Sequence, residues 1–246
     1  MLLTEAEQLI YSTAEPVAER YCLTTDGFDR EVVLLKSRFC KWRKCTFCDY
    51  WADGSQDINE LDEVNFVELD KITGETGVLE IINSGSIFEL PKAHIERIKV
   101  IIKEKNIHTF MYEAHYMYHE LIADFNKQFD VDKIIAKTGL ETYDDDFREK
   151  VLNKGFIDKL DLEYFHQTFD AVNLLIGIKG QTIEMIERDL QLASENLDIV
   201  LVNIFTENSQ DVNIDEELIK QFYEIYPKYQ RDNVIVYDHK NAVGLG

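Results

Sequence analysis

The chain has 246 residues, 45% of them hydrophobic, and carries 26 basic against 47 acidic residues for a formal net charge of -21. That length can bury a sizeable core in one globular unit, and no apolar run approaches the roughly 18–20 residues of a membrane-spanning helix. The acidity works against bulk nucleic acid, whose affinity for proteins comes largely from Lys and Arg, and favours a small-molecule substrate.

The opening MLLTEAEQLI carries acids where a signal peptide carries bases, so a cytoplasmic protein is expected. With three prolines, eleven glycines, no repeat and no low-complexity tract, residues 1–246 read as one domain with its core at about 30–210. In chain order, β-branched apolar runs fall at Glu31–Lys36, Val78–Ile82, Ile107–Tyr112, Lys133–Lys137, Ala171–Ile176 and Asp198–Ile204. A further run at Asn233–Tyr237 is placed to close or extend the sheet.

Between the runs, apolar residues recur at helical spacing, as in Ile95, Ile98, Ile101 and Ile102, or Ile183, Ile186, Leu190 and Ala193. Pro91 suits a first helical turn, and Asp144 to Asp146 suit the positive end of a helix beginning at Phe147. Alternating strands and helices imply parallel neighbours, which need crossovers. The chemistry of such sheets lies at the carboxyl ends of their strands, and those ends here are polar: Cys40 to Cys48, Asn83 to Ser86, Glu113, Gly139 to Glu141, Gly177, then Glu207 and Asn208.

The segment RFCKWRKCTFCDYW spaces Cys40, Cys45 and Cys48 as C-x4-C-x2-C. Three thiols in so short a span cannot form a disulfide framework, and soft thiolates suit zinc or an iron–sulfur cluster. No fourth cysteine or histidine follows at zinc-finger reach, which suggests an open site, although Asp49 or a histidine could still close a zinc knob. Cys22 stands apart and reads as a small core hydrophobe. His115 and His119, four apart, could form a metal pair or simply belong to an amphipathic, Tyr-rich segment.

The cysteine loop resembles that of the radical S-adenosylmethionine (SAM) superfamily, with Phe47 as the aromatic before the last cysteine and a first spacing one residue longer than the commonest pattern. The resemblance covers roughly residues 30 to 210 and implies an α/β fold, a partial (β/α)6 barrel with parallel strands. It implies a 4Fe-4S cluster on Cys40, Cys45 and Cys48 and S-adenosyl-L-methionine as cofactor. The Asn83-Ser84-Gly85-Ser86 segment is similar to one that holds the methionyl ammonium, and Gly177 and Asn203 lie where the superfamily lays the adenine. Glu113 and Glu141 take positions of carboxylates that bond cofactor or substrate.

The run GLETYDDDFREKVLNKGF resembles the branch containing methylthiotransferases and the archaeosine-forming enzyme, and there Arg148 and Lys154 become candidate catalytic cations beside Glu113 and Glu141. Short acidic members resemble the bacterial queuine lyases of queuosine salvage. That likeness implies a nucleoside or nucleotide substrate, with Trp42, Phe88, Tyr112 or Tyr116 available to stack its base and Arg148, Lys154 or Lys179 to hold a phosphate. An electron donor such as flavodoxin or ferredoxin is implied as partner. Three alternatives stay open: a tRNA-modifying radical SAM enzyme acting with a partner, an auxiliary-peptide or sugar-modifying radical enzyme, and a zinc-stabilised binding module without activity.

Overall fold

The structure, a computed structural model, describes residues 19–156 and 159–237. The N-terminal decapeptide and the ends of the 1–246 span lie outside the described residues. Eight strands form one sheet in sequence order: β1 Tyr21–Thr24, β2 Arg30–Leu35, β3 Val78–Asn83, β4 Thr109–Glu113, β5 Lys133–Glu141, β6 Ala171–Ile176, β7 Ile199–Ile204 and β8 Val234–Tyr237. β1 runs antiparallel to β2, and every later pairing is parallel.

The sheet curls on itself. The Arg30 guanidinium of β2 donates to the Tyr237 hydroxyl of β8 across five intervening strands, and the place of a Gly27 Cβ is already filled by Ile235 of β8, 2.1 Å away. An α/β partial barrel with parallel strands results, as the family resemblance implies. Beyond the six-stranded core, β8 extends the sheet where the Asn233–Tyr237 run was expected to, and the short, half-buried β1, which was not expected, adds a hairpin edge.

Helices α1 Ile58–Leu69, α2 Lys92–Glu104, α3 Ile122–Asn126, α4 Asp145–Lys150, α5 Leu162–Thr168, α6 Ile183–Asn196 and α7 Glu216–Ile225 supply the crossovers and outer packing. The apolar stripe of α2 behaves as its spacing dictates: Ile95, Ile98, Ile101 and Ile102 are all buried against the sheet, each burial contributing about 1.5–3 kcal/mol. α4 starts two residues before the expected Phe147, because the Asp144 carboxylate caps it by accepting from the Phe147 N–H at 2.8 Å.

The two faces of the sheet are unlike. Outward residues such as Val33, Leu35, Leu79, Ile81, Phe110 and Tyr112 join the large helix-covered core. The lumen has its own small apolar plug of Met111, Ile135, Ala171, Ile199, Leu201 and Ile235, with charged strand residues above it. Among the described residues no helix is long and apolar enough to cross a membrane.

Candidate active site

β2 releases the chain into the cysteine loop, and neighbouring loops fasten that loop from three sides. On one side the Trp42 indole donates to Asn153 O at 2.6 Å, Asn153 Nδ2 donates to Lys44 O at 2.9 Å, and Thr46 N donates to Leu152 O at 3.1 Å. On another, the buried Glu89 carboxylate accepts from the N–H groups of Lys41 and Ser86, both at 2.7 Å. On the third, Asn208 Nδ2 donates to Phe47 O at 2.8 Å and Ser209 bonds Asp49. The bonds to the cysteine loop itself close over sequence separations of tens to more than a hundred residues, so the loop is ordered by the folded barrel and not by its own propensity.

The four cysteines of the chain are free thiols. Burial raises the pKa of Cys40, Cys45 and Cys48, that of Cys48 to about 12 with help from Cys45, while the Lys154 ammonium pulls all three back. The trio therefore shares one electrostatic environment. Cys40 also touches the loop after β3: a Cβ on Gly85 would stand 3.1 Å from the Cys40 Cα and 2.0 Å from a Glu89 oxygen, so only glycine fits there.

Lys154 and Glu141 form the upper ion pair of the lumen, Nζ to Oε1 at 2.9 Å, both under a tenth exposed. Backbone conformation puts them there. Glu141 has φ +68 at a register shift between β5 and β6, and Lys154 is flanked by Asn153 and Gly155, with φ of +51 and +72. Gly139 leaves them room, since a Cβ there would meet Glu141 Oε1 at 2.5 Å. Burial opposes the Lys154 charge, but Glu141, Cys45 and Cys48 outweigh it and the net shift is upward. Glu141 itself is raised by burial, with Lys154 working against the shift.

Below lies a second set of charges, of which the sequence pointed to Glu113 alone. Arg30 Nε bonds Glu80 at 2.7 Å, Lys137 Nζ bonds Glu80 at 2.6 Å and reaches Glu113 at 3.3 Å, and Asn173 Nδ2 donates to Glu113 at 3.2 Å. Burial would raise Glu80, yet Lys137 and Arg30 hold it below the ordinary carboxylate range. The signal was present as single charges inside apolar strands, VLEII and KIIAK, at alternate positions that face one side.

Other expected residues fall out as follows. Asn83 is buried with both amide atoms unpaired, and Ser86 Oγ is unpaired as well. Ser84 Oγ donates to Asp53 at 2.8 Å. Phe47 lies under the Lys154 ammonium, 5.5 Å from ring centroid to Nζ. Gly177 has φ +98, its N–H donates to Gln181 and its carbonyl accepts from Asp215, so its backbone is already engaged. Asn203 sits partly buried near the end of β7, in register with Tyr237.

Arg148 does not join the mouth. It is fully buried and its guanidinium is spent on Asp145, Glu149 and the Thr142 carbonyl, closing the turn of α4. His115 and His119 form no metal pair: His115 Nε2 bonds Lys154 O at 2.8 Å, and His119 Nδ1 bonds the Tyr164 hydroxyl. Burial pushes His115 down to about 3, which keeps its ring neutral. Tyr112 is outer core with its hydroxyl on Asn126, while Tyr116 stacks on Phe156 and Phe88 on Tyr118. Lys179 is exposed.

The donors present suit the implied cofactors. Gly85 packs against Cys40, and within the same four-residue segment the unpaired amide of Asn83 and the unpaired hydroxyl of Ser86 offer polar groups to a ligand.

A curled parallel sheet with an open three-thiol loop at its carboxyl edge and acids within its lumen defines a radical SAM enzyme. No protein-family model matches the chain, and no curated protein matches it. Among solved structures, the queuine lyase from Clostridium spiroforme bound to SAM and queuine is 44% identical, with a TM-score of 0.85 over 89% of this chain and 95% of that one. SuiB of Streptococcus suis is 16% identical, with a TM-score of 0.52 over 84% of this chain but only 48% of SuiB, and its S-adenosylmethionine-bound form gives 0.54. SuiB thus shares the fold, and this chain spans about half its length. The chain belongs to the queuine lyase family.

Proposed function

We propose that this protein is a queuine lyase that releases the 7-deazaguanine base queuine from queuosine or queuosine 5′-phosphate, working as one catalytic unit over residues 1–246. The observation that carries the reading is the 44% identity, across nearly the whole of both chains, to a queuine lyase bound to SAM and queuine. In the reading, Cys40, Cys45 and Cys48 hold three corners of a 4Fe-4S cluster. When bound, the cluster and S-adenosylmethionine supply a 5′-deoxyadenosyl radical for hydrogen abstraction from the nucleoside.

The protein's own groups then orient and shield. Asn83, Ser84, Gly85 and Ser86 offer the amide, hydroxyls and close backbone that a methionyl ammonium and carboxylate need. Lys154 fixes Glu141 at 2.9 Å and offsets the negative charge that three thiolates would concentrate. Glu113, with 30% of its side chain exposed, keeps lone pairs for a ribose or base donor, held from behind by Lys137 and Asn173. Phe47 and Asn203 complete the cofactor side. The apolar plug closes the far end of the lumen against water, which protects a reactive carbon radical.

A flavodoxin or ferredoxin in the cytoplasm supplies the electron. The test is anaerobic reconstitution followed by incubation with queuosine, its 5′-phosphate or intact tRNA. The reading expects 5′-deoxyadenosine or methionine with free queuine from one of the two small substrates. Queuine from tRNA alone would favour the tRNA-modifying alternative, and none from any substrate would refute the lyase.

A further inference from the structure

In a molecule of net charge -21, Arg38, Lys41, Arg43 and Lys44 are packed into seven residues of the cysteine loop, and no acid occurs between Glu31 and Asp49. All four side chains are exposed, as is Lys92 at the start of α2. Their neighbour Lys36 is paired with Glu60 and Asp53. Among the described residues none of the five exposed cations forms a salt bridge, whereas most other strand and helix cations here do. Arg43 stacks instead over Phe39 and Trp51, and Lys44 over Trp42, which fixes the charges near the loop without neutralising them.

Arg38, Lys41 and Lys92 stand around an open concavity of about 400 Å³, lined also by Phe39, Phe88, Leu90 and Pro91. Glu89 is the one acid lining it, and it is buried and spent on the N–H groups of Lys41 and Ser86. An apolar centre with a charged rim is the anatomy of a protein-docking surface. The place matters as much as the charge. The patch is the outer surface of the segment that carries the three thiols, and Cys40 lies between Arg38 and Lys41.

We infer that this basic face is the docking surface for a small acidic one-electron carrier protein, of flavin or iron–sulfur type, that reduces the site beneath it. The inference rests on the radical SAM reading and adds the surface through which the electron enters. One electron leaves the reduced carrier, which becomes its one-electron-oxidised form, and one enters the thiol-bound centre. No bond forms or breaks at the interface. Arg38, Lys41 and Lys92, unpaired around the concavity, steer an acidic partner to this one face, while the remaining acidic surface repels it elsewhere, so orientation is selected as well as contact.

The experiment drives the reconstituted holoenzyme two ways, with dithionite and with flavodoxin kept reduced by its NADPH-dependent reductase, reading 5′-deoxyadenosine per cluster. The variant R38E/K41E/K92E is expected to match wild type with dithionite and to lose at least about tenfold in flavodoxin-driven kcat/KM. R38K/K41R/K92R should restore it. If the triple variant fails to load a cluster, Lys92→Glu alone, which lies off the loop, should still cost about two- to threefold with flavodoxin only. Equal losses under both reductants would overturn the docking surface and assign the patch to substrate or cluster, and an unchanged flavodoxin rate would overturn it too. A wild-type enzyme that forms no 5′-deoxyadenosine even with dithionite would instead defeat the radical SAM reading itself, and the docking surface with it.

Discussion

The floor and the mouth of the lumen are both built from buried polar groups and left in opposite states. On the floor, Arg30, Glu80, Lys137 and Tyr237 satisfy one another within a few ångströms. At the mouth, three thiols are lifted away from their reactive form by burial, and Asn83 and Ser86 have polar atoms without partners. Burying polar groups unpaired costs folding energy, so a fold that completes one set and leaves the other open has placed its structural charges below and its ligand site above. Lys154 and Glu141 stand at the boundary: paired with each other, yet felt by the cysteines.

The largest expected effect breaks the mouth alone. Cys45→Ala should abolish the iron–sulfur absorbance and 5′-deoxyadenosine formation, with the urea midpoint of the metal-free chain little changed, whereas Cys22→Ala on the β1 edge should keep both. A cluster retained in full by the Cys45 variant would contradict the assignment.

The floor should answer in the reverse sense. Glu80→Ala strands Arg30 and Lys137 as buried cations and is expected to cost about 3–5 kcal/mol in chemical denaturation; a loss under 1 kcal/mol would mean that the network is not structural.

Asp189 extends the comparison to the outer layer, as a buried carboxylate with no cation bonded to it. It is 1% exposed, accepts from the Tyr143 N–H at 2.8 Å, and has its other oxygen unpaired. Burial pushes its pKa up to about 7, against the pull of Thr142 and the Tyr143 N–H. A folded-state value above the unfolded one means that its contribution is fully present below about pH 4 and is lost as pH rises through about 7. Asp189→Asn keeps the acceptor for Tyr143 and should flatten that dependence, gaining about 2–4 kcal/mol at pH 8 and little at pH 4. Parallel stability profiles for the two proteins would remove this account.

The smallest effect is a local control. Asp215 caps α7 through the Leu218 N–H at 3.0 Å, and Asp215→Ala should cost about 1 kcal/mol without altering cluster loading.

What the sequence made legible follows from period and order. Strands from β2 onward, the α2 and α6 stripes and the cysteine loop are local patterns, and each appears where those patterns put it. β1 was not legible, because YCLT is only four residues long and its pairing with β2 is set by the hairpin, not by a hydrophobic run. The lumen network was missed because Glu80 and Lys137 meet only when β3 and β5 curl toward each other around β4.

Arg148 and Lys154, close in sequence and equal as candidates there, part company in space. Left-handed residues at Asn153 and Gly155 flank Lys154, which turns toward Glu141, while Arg148 stays with its own helix. Gly177 was expected to serve the adenine through its position alone, and tertiary bonds to Gln181 and Asp215 occupy its backbone.

The central claim is that the mouth is one thiolate short so that a cluster can carry a further ligand. Iron and acid-labile sulfide measured on oxygen-free reconstituted protein test it most directly. The account predicts about four of each per chain, with the spectrum of the reduced cluster changing when S-adenosylmethionine is added. One tightly bound zinc without sulfide would contradict it.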